Sequence, residues 1–160
     1  MAHVTIEYII MIPLLVMQIF LFPLTASWLM NRWVDSRRNL ALQDAASHLG
    51  STIQQLYFSL NHEAVPTGTA TYSPDLPPFI ENYHYRGSAA LQTVSCSSSD
   101  SSKILKLTLA LVSTAITVTT SSILGPNALW CDSIFISNST NACVSAEKLP
   151  NGTICLRFGE

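Results

Sequence analysis

Four histidines are the side chains of this sequence best suited to metal binding or proton transfer, and their spacing supports neither role. His3, His48, His62 and His84 lie far apart along the chain. The pair His62-Glu63 is not part of an HExxH motif, in which two histidines one helical turn apart bind zinc. The sequence also has no GxSxG motif, no glycine-rich phosphate loop and no convincing carboxylate pair. We therefore predict no catalytic residue, metal site or cofactor, and we interpret the chain as a non-enzyme.

Four cysteines predict a different chemistry, namely disulfide bonds. Cys96, Cys131, Cys143 and Cys155 all lie in the C-terminal part of the chain. None belongs to a CxxC pair, which zinc knuckles and thioredoxin-like sites require. Two disulfides within one domain are the simplest interpretation. The sequence leaves the connectivity open, and the short loop between Cys131 and Cys143 favours that pair, which leaves Cys96 for Cys155.

Two N-glycosylation sequons lie among these cysteines. They start at Asn138 and Asn151 and read Asn-Ser-Thr and Asn-Gly-Thr. Cysteines that can form disulfides and sequons that can carry glycans are both typical of an oxidising, extracytoplasmic environment. Together they predict that this part of the chain lies outside the cytoplasm.

An uncharged, apolar run near the N-terminus predicts a membrane-spanning helix. Residues 8–30 contain no charged side chain, and a run of this length crosses a bilayer of about 30 Å as a helix. Pro13 and Pro23 are tolerated in helices that lipid or other helices surround. A cleaved secretory signal is the alternative, but such a signal has a basic n-region and a shorter apolar region. We favour the membrane-spanning helix.

The helical pattern continues beyond the apolar run. Apolar residues recur at three- and four-residue spacing and form one stripe: Leu42, Ala45, Ala46, Leu49, Ile53, Leu56, Tyr57 and Leu60. One helix over residues 8–60 is about 80 Å long, which is far longer than a head domain of this size. We expect its second half to pack this stripe against the head.

The rest of the chain predicts a proline-rich linker and a β-rich head. Residues 62–78 contain four prolines and cannot continue the helix. Short runs rich in β-branched and aromatic residues follow, separated by turn residues, and favour an antiparallel sheet or a small sandwich. The predicted strands are residues 79–85, 89–94, 104–112, 115–120, 133–136 and 153–158. The fold class is therefore α+β.

Composition limits the partners. Charged residues make up only 11% of the chain, against roughly 25% in ordinary soluble proteins. This deficit predicts that much of the surface contacts lipid or protein. No stretch combines basic and aromatic residues as nucleic-acid binding requires, so we predict no nucleic-acid partner.

The start of the chain resembles the processing site of archaeal type IV pilin precursors. It reads His-Val-Thr-Ile-Glu-Tyr from residue 3 to residue 8. In the class III signal peptides of that family, Gln, Ser, Glu and an aromatic residue occur at fixed spacing before an apolar helix. Glu7 and Tyr8 match this pattern, whereas His3 stands where Gln is usual and Thr5 where Ser is usual. The order of helix, proline-rich linker and β head resembles the same family over the whole chain.

This resemblance implies cleavage before His3, so that residues 1–2 are a residual leader. It also implies that Glu7 meets the free amine of His3 in the same or a neighbouring subunit. The alternative for Glu7 is a hydrated carboxylate at the membrane surface. Residues 3–33 would then be the membrane-spanning and filament-core helix, residues 34–61 its amphipathic continuation, residues 62–78 the linker and residues 79–160 the head. The predicted core residues are Leu14, Leu15, Ile19 and Phe20.

The implied function is a structural subunit of an extracellular pilus-like filament, inserted in the membrane before assembly and serving surface adhesion. Its partners would be further copies of itself, the membrane, a prepilin peptidase and the pilus assembly machinery. Two alternatives stay open: a single-pass anchored binding protein, and a pseudopilin or minor pilin. One pattern opposes an exterior head, because Arg32, Arg37 and Arg38 follow the apolar run, where basic residues favour the cytoplasm. The cysteines, the sequons and the pilin-like start favour the exterior.

Overall fold

The computed structural model of the chain describes residues 2–94 and 102–159, without the side chains of residues 2–8 and 10. The chain divides into two compact units, Met1–Arg37 and Arg38–Glu160. The division falls inside the one helix of the described residues, α1, which spans Ala2–Leu60. The first unit is therefore helical from Ala2 onward, and the second contains the end of α1 and every strand of the described residues.

Eight strands follow α1 in the described part of the chain. They are β1 (Gly68–Tyr72), β2 (Tyr85–Val94), β3 (Ser102–Leu111), β4 (Thr117–Leu124), β5 (Ala128–Trp130), β6 (Ile134–Ile136), β7 (Val144–Lys148) and β8 (Ile154–Phe158). One sheet has the order β1-β7-β8-β5 and the other the order β4-β3-β2-β6. Every pair is antiparallel except β5 with β8, which is parallel. The predicted α+β class, with a long apolar helix before a β-rich head, is confirmed.

Helix α1 confirms the predicted helix and starts earlier, at Ala2. It continues through Pro13 and Pro23, although each proline removes the amide that would bond the carbonyl one turn before it. Near the second proline, the Thr25 hydroxyl donates to the carbonyls of Leu21 at 3.0 Å and Phe22 at 2.9 Å. The carbonyl that Pro23 leaves without its amide partner is that of Ile19, so the Thr25 hydroxyl is satisfied within the helix but does not replace the bond that the proline removes.

The last part of α1 packs its apolar stripe into the head as predicted. Leu42, Leu49, Ile53 and their neighbours on the stripe are buried in one core with residues of both sheets. At Gly50 the helix approaches β4 closely, because the Ser122 hydroxyl donates to the Gly50 carbonyl at 3.0 Å. A Cβ on Gly50 would lie 2.9 Å from that hydroxyl oxygen. Glycine therefore permits this helix–sheet contact.

Two local predictions are corrected by the structure. Residues 62–78 are not only a linker, since they contain β1, which pairs with β7. Its five residues lie between Pro66 and Pro74, so neither proline interrupts the ladder. The strand predicted at residues 79–85 is wrong up to residue 84, because Glu81 and Asn82 have φ angles of +46° and +71° and form a turn closed by the bridge between Ile80 and Tyr83. Strand β2 begins only at Tyr85.

This turn holds the beginning of the second unit. The guanidinium of Arg38 forms an ion pair with Glu81 at 2.8 Å and lies 5.1 Å from the ring centroid of Tyr83. Glu81 and Tyr83 both belong to the turn. The left-handed backbone conformation that prevents a strand here therefore also positions the two side chains that contact Arg38 of α1. Strands β5 and β7 were not predicted. β5 has only three residues, and β7 has the largely polar sequence VSAEK, so neither shows a clear strand pattern.

Aromatic side chains join the two sheets in the core. The ring of Phe135 on β6 lies 6.2 Å from that of Tyr85 and 5.5 Å from that of Phe158 on β8. The Tyr85 hydroxyl donates to the Pro77 carbonyl at 3.0 Å, and burial raises the pKa of Tyr85 to about 12. The hydroxyl therefore stays protonated at neutral pH and keeps this hydrogen bond to the chain that enters the head.

Candidate assembly segment

The apolar segment, which we define as residues 9–30, is the largest functional candidate in the described part of the chain. The predicted core residues Leu14, Leu15, Ile19 and Phe20 are all exposed. Because α1 is regular here, these side chains and their neighbours lie all round the helix, with no polar face. The described part of α1 is long and apolar enough to cross a membrane.

This much apolar surface is unfavourable in water. Monomeric soluble proteins rarely expose apolar patches larger than a few hundred Å², and each Å² removed from water contributes roughly 25 cal/mol. The segment must therefore be covered by lipid or by protein. His3, Glu7 and Tyr8 precede it on the same helix, but their side chains lie outside the described residues, so the predicted pairing of Glu7 with an amine stays a prediction.

Aromatic and basic side chains alternate where the apolar segment ends. The guanidinium of Arg32 lies 5.0 Å from the ring centroid of Trp28, and that of Arg37 lies 5.0 Å from the ring of Trp33. Each pair is separated by four residues, the spacing that brings side chains together on a helix. From the sequence we noted the arginines but found no stretch that combines basic and aromatic residues, although the four-residue spacing of each pair is visible there.

The cysteines of the head form a different bond from the one we favoured. Cys131 pairs with Cys155, with Cα atoms 6.5 Å apart, so the expected Cys131–Cys143 and Cys96–Cys155 bonds are wrong. The parallel register of β5 and β8 places Leu129 opposite Cys155, and the Cys131 amide donates to the Leu156 carbonyl. Cys143 instead lies at the end of β8, where its carbonyl accepts from the Gly159 amide at 2.8 Å. Sheet register, and not loop length, decides the pairing.

Cys143 has no disulfide partner within the described residues, and Cys96 lies outside them. A second disulfide therefore stays a prediction.

Reducing the Cys131–Cys155 bond is expected to lower the free energy of unfolding of the head by about 3.5 kcal/mol, the loop-closure value for the 24-residue separation. Urea unfolding of oxidised and reduced protein measures the difference. Cys143→Ala should retain that difference. Equal stability with and without reductant would show that the bond does not constrain the unfolded chain.

Both sequons lie on exposed turns. Asn138 follows β6 and Asn151 lies between β7 and β8, and both side chains are exposed. The side-chain Oδ1 of Asn151 accepts from the Thr153 amide at 3.0 Å, which orders that turn locally. The positions are compatible with glycan attachment, which stays a prediction.

The histidines remain separate in the folded head. No group of three metal-binding side chains occurs among the described residues. His48 is exposed on the polar side of α1, and His62 lies just after the helix, where its ring accepts from the Ala64 amide at 3.2 Å. The Lys148 ammonium donates to the His62 carbonyl at 2.9 Å. His62 thus has a structural role in the turn that ends α1.

The head also carries an open groove of about 700 Å³, with Arg86 and Asp132 among its lining residues. Its other lining residues are small, polar or aliphatic: Ser88, Ala89, Ser133, Ile134, Ile136, Ser139 and Gly159. Ser133 is used structurally, because it accepts from the Phe158 amide and donates to the Cys131 carbonyl. The Ser133 hydroxyl is therefore engaged within the head.

Comparison of the chain with family models, with curated proteins and with solved structures finds no match in any of the three.

Proposed function

We propose that this protein is a structural subunit of an extracellular type IV pilus-like filament that polymerises through its N-terminal apolar helix. The observation that carries the proposal is the apolar segment, an exposed helix without charge, followed by a separately compact head. The head is stabilised by its own core and by a disulfide. The helix of the apolar segment does not depend on the head for its folding. Its side chains are therefore available for contact with other copies of the chain.

The physical basis of assembly is an exchange of neighbours. In the membrane, lipid chains cover the apolar segment, and in a filament the segments of other subunits replace lipid. Van der Waals packing and the exclusion of water then hold the core together without covalent bonds. The heads form the outer layer and carry the glycans. A prepilin peptidase and an assembly machinery act before this step, and adhesion is the role of the finished filament.

A single-pass anchored binding protein is the main alternative, and a pseudopilin or minor pilin is another. The groove beside Arg86 and Asp132 is where an anchored binding protein would hold a ligand. Negative-stain microscopy of surface filaments, combined with mass spectrometry of their subunits, separates these functions. Filaments composed mainly of this chain support the proposal. A chain that is abundant in membranes and absent from isolated filaments would indicate the anchored protein.

We expect the assembled subunit to begin at His3 and its amine to contact Glu7. A carboxylate at the start of an apolar helix is costly to bury unless a cation neutralises it, and a new amine supplies that cation. Glu7→Gln should therefore reduce assembly strongly, and N-terminal sequencing of filaments should give His3 first. Glu7→Asp keeps the charge on a shorter side chain and should retain more assembly than Glu7→Gln. Filaments that retain Met1 or Ala2 would rule out cleavage at this position.

A further inference from the structure

The collar, which we define as Trp28, Arg32, Trp33 and Arg37, begins in the last turn of the apolar segment and continues beyond it. Both tryptophans are exposed, as are both arginines. Each guanidinium lies 5.0 Å from the centroid of its tryptophan ring. The faces of these rings are thus occupied by cations whose outer donors remain available, because a guanidinium has more N–H groups than a ring face can engage.

A groove on the same helix extends from the collar onto the apolar segment. It is shallow and open, because one helix forms it, and it is lined by Ala26, Leu29, Met30, Arg32 and Trp33. Arg32 is the only charged residue among these five. The groove therefore offers aliphatic and aromatic walls to a hydrocarbon chain and a guanidinium to an anionic group at one end.

Helix geometry places the collar at a membrane surface. From Ile9 to Met30 the helix rises about 31 Å, close to the thickness of about 30 Å of the hydrocarbon layer. Arg32 lies about 3 Å and Arg37 about 10 Å beyond Met30 along the axis. The two guanidinium groups thus span the depth of the headgroup layer when the apolar segment fills the hydrocarbon. Asp35, the one acidic residue of the collar region, has an interaction of its own.

We propose that the collar binds the phosphate of an anionic phospholipid in the leaflet on the side of the head. Phosphate oxygens match the planar fork of arginine, which binds them with two hydrogen bonds. Tryptophan rings are favoured at this same depth of the bilayer. Binding to anionic lipid also offsets the unfavourable placement of basic residues on the non-cytoplasmic side of the membrane. This inference rests on the membrane-inserted state of the proposed function.

Quenching of tryptophan fluorescence by brominated lipids tests the lipid class. The full chain is placed in phosphatidylcholine vesicles that contain an equal fraction of brominated phosphatidylglycerol or brominated phosphatidylcholine. Bromine on the acyl chains quenches only tryptophans that contact the bilayer, so Trp130 in the head gives a constant background. We expect stronger quenching by phosphatidylglycerol. In Arg32→Gln/Arg37→Gln this preference should fall about fivefold for each arginine removed, the effect of one basic residue at an anionic surface.

Three controls make the result specific. Arg157→Gln removes an exposed arginine of the head that lies outside the head groove and should leave the preference unchanged. The single variant Arg37→Gln should lose only the part of the lipid preference that Arg37 supplies. Residue 37 lies beyond the hydrocarbon layer, so membrane insertion, which flotation checks, should be preserved. Inorganic phosphate at constant ionic strength should not reduce the preference, because lipid and not free phosphate is the ligand.

Equal quenching by both lipids, an unchanged preference in the double variant, or displacement by inorganic phosphate would overturn the proposal. Filament assembly is scored separately by microscopy. Filaments formed by a chain without lipid preference would refute the collar and leave the pilus function standing. A lipid preference in a chain that never forms filaments would refute the pilus function and leave the collar standing.

Discussion

Leu15→Asp and Ile19→Asp are each expected to abolish filament assembly and to leave the head folded. Both residues lie in the apolar segment, within the first of the two compact units. An aspartate at the centre of a membrane helix costs about 2.5 to 3.5 kcal/mol for insertion, and a packed helical core has no water to hydrate it. Microscopy and sedimentation of surface material measure the loss of filaments.

Leu40→Asp is the matched control for this experiment. Leu40 is 63% exposed and Ile19 is 65% exposed, and both lie on α1, so the chemical change and the starting exposure are similar. Leu40 lies beyond the apolar segment, and its replacement should preserve assembly.

A chain that begins at Asn31 separates loss at insertion from loss at assembly, since it lacks the apolar segment. We expect it to be folded and monomeric. Filaments formed by this shortened chain would show that the apolar segment is not the polymerising element.

Phe135→Ala is expected to lower the free energy of unfolding of the head by about 3 to 5 kcal/mol, the range for a large aromatic side chain lost from a core. Phe135 is 1% exposed, and its ring contacts Tyr85 from its own sheet and Phe158 from the other. Its removal therefore leaves a cavity where the two sheets meet. Urea unfolding followed by near-ultraviolet circular dichroism measures the change.

Phe79→Ala provides the control for the aromatic core. Phe79 is 50% exposed and lies outside the strands. The same substitution there should change stability by about 0.5 kcal/mol or less, as surface substitutions usually do. A similar loss at both positions would mean that Phe135 does not connect the sheets in the way its ring contacts indicate.

The helix was predictable because one local pattern determines both its conformation and its burial. Leu42, Leu49 and Ile53 repeat with helical spacing in the sequence and are all buried in the head. The apolar segment was predictable from composition alone. Local pattern failed at residues 79–85, where aromatic and β-branched residues indicated a strand. The left-handed φ angles of Glu81 and Asn82 arise in the turn that meets Arg38, a contact that sequence spacing does not show.

The division into two sheets and the disulfide were not predictable, since both depend on pairing between distant segments. Cys131 meets Cys155 because β5 lies parallel to β8, and no property of either short strand specifies that partner. The collar was predictable only in part. The four-residue spacing of Trp28 with Arg32 and of Trp33 with Arg37 is local and could have been recognised in the sequence. The groove beside these residues could be recognised only from the folded structure.

The position of β8 has a consequence for the order of events during synthesis. This strand is the last one described, yet it lies inside its sheet, between β7 and β5. Among the described strands β5 pairs only with β8, and Phe158 supplies the aromatic contact to Phe135. The sheet cannot close while residues 154–158 are still in the ribosome. The apolar segment precedes these residues in the chain, so it is synthesised before the head can complete its core and the Cys131–Cys155 disulfide.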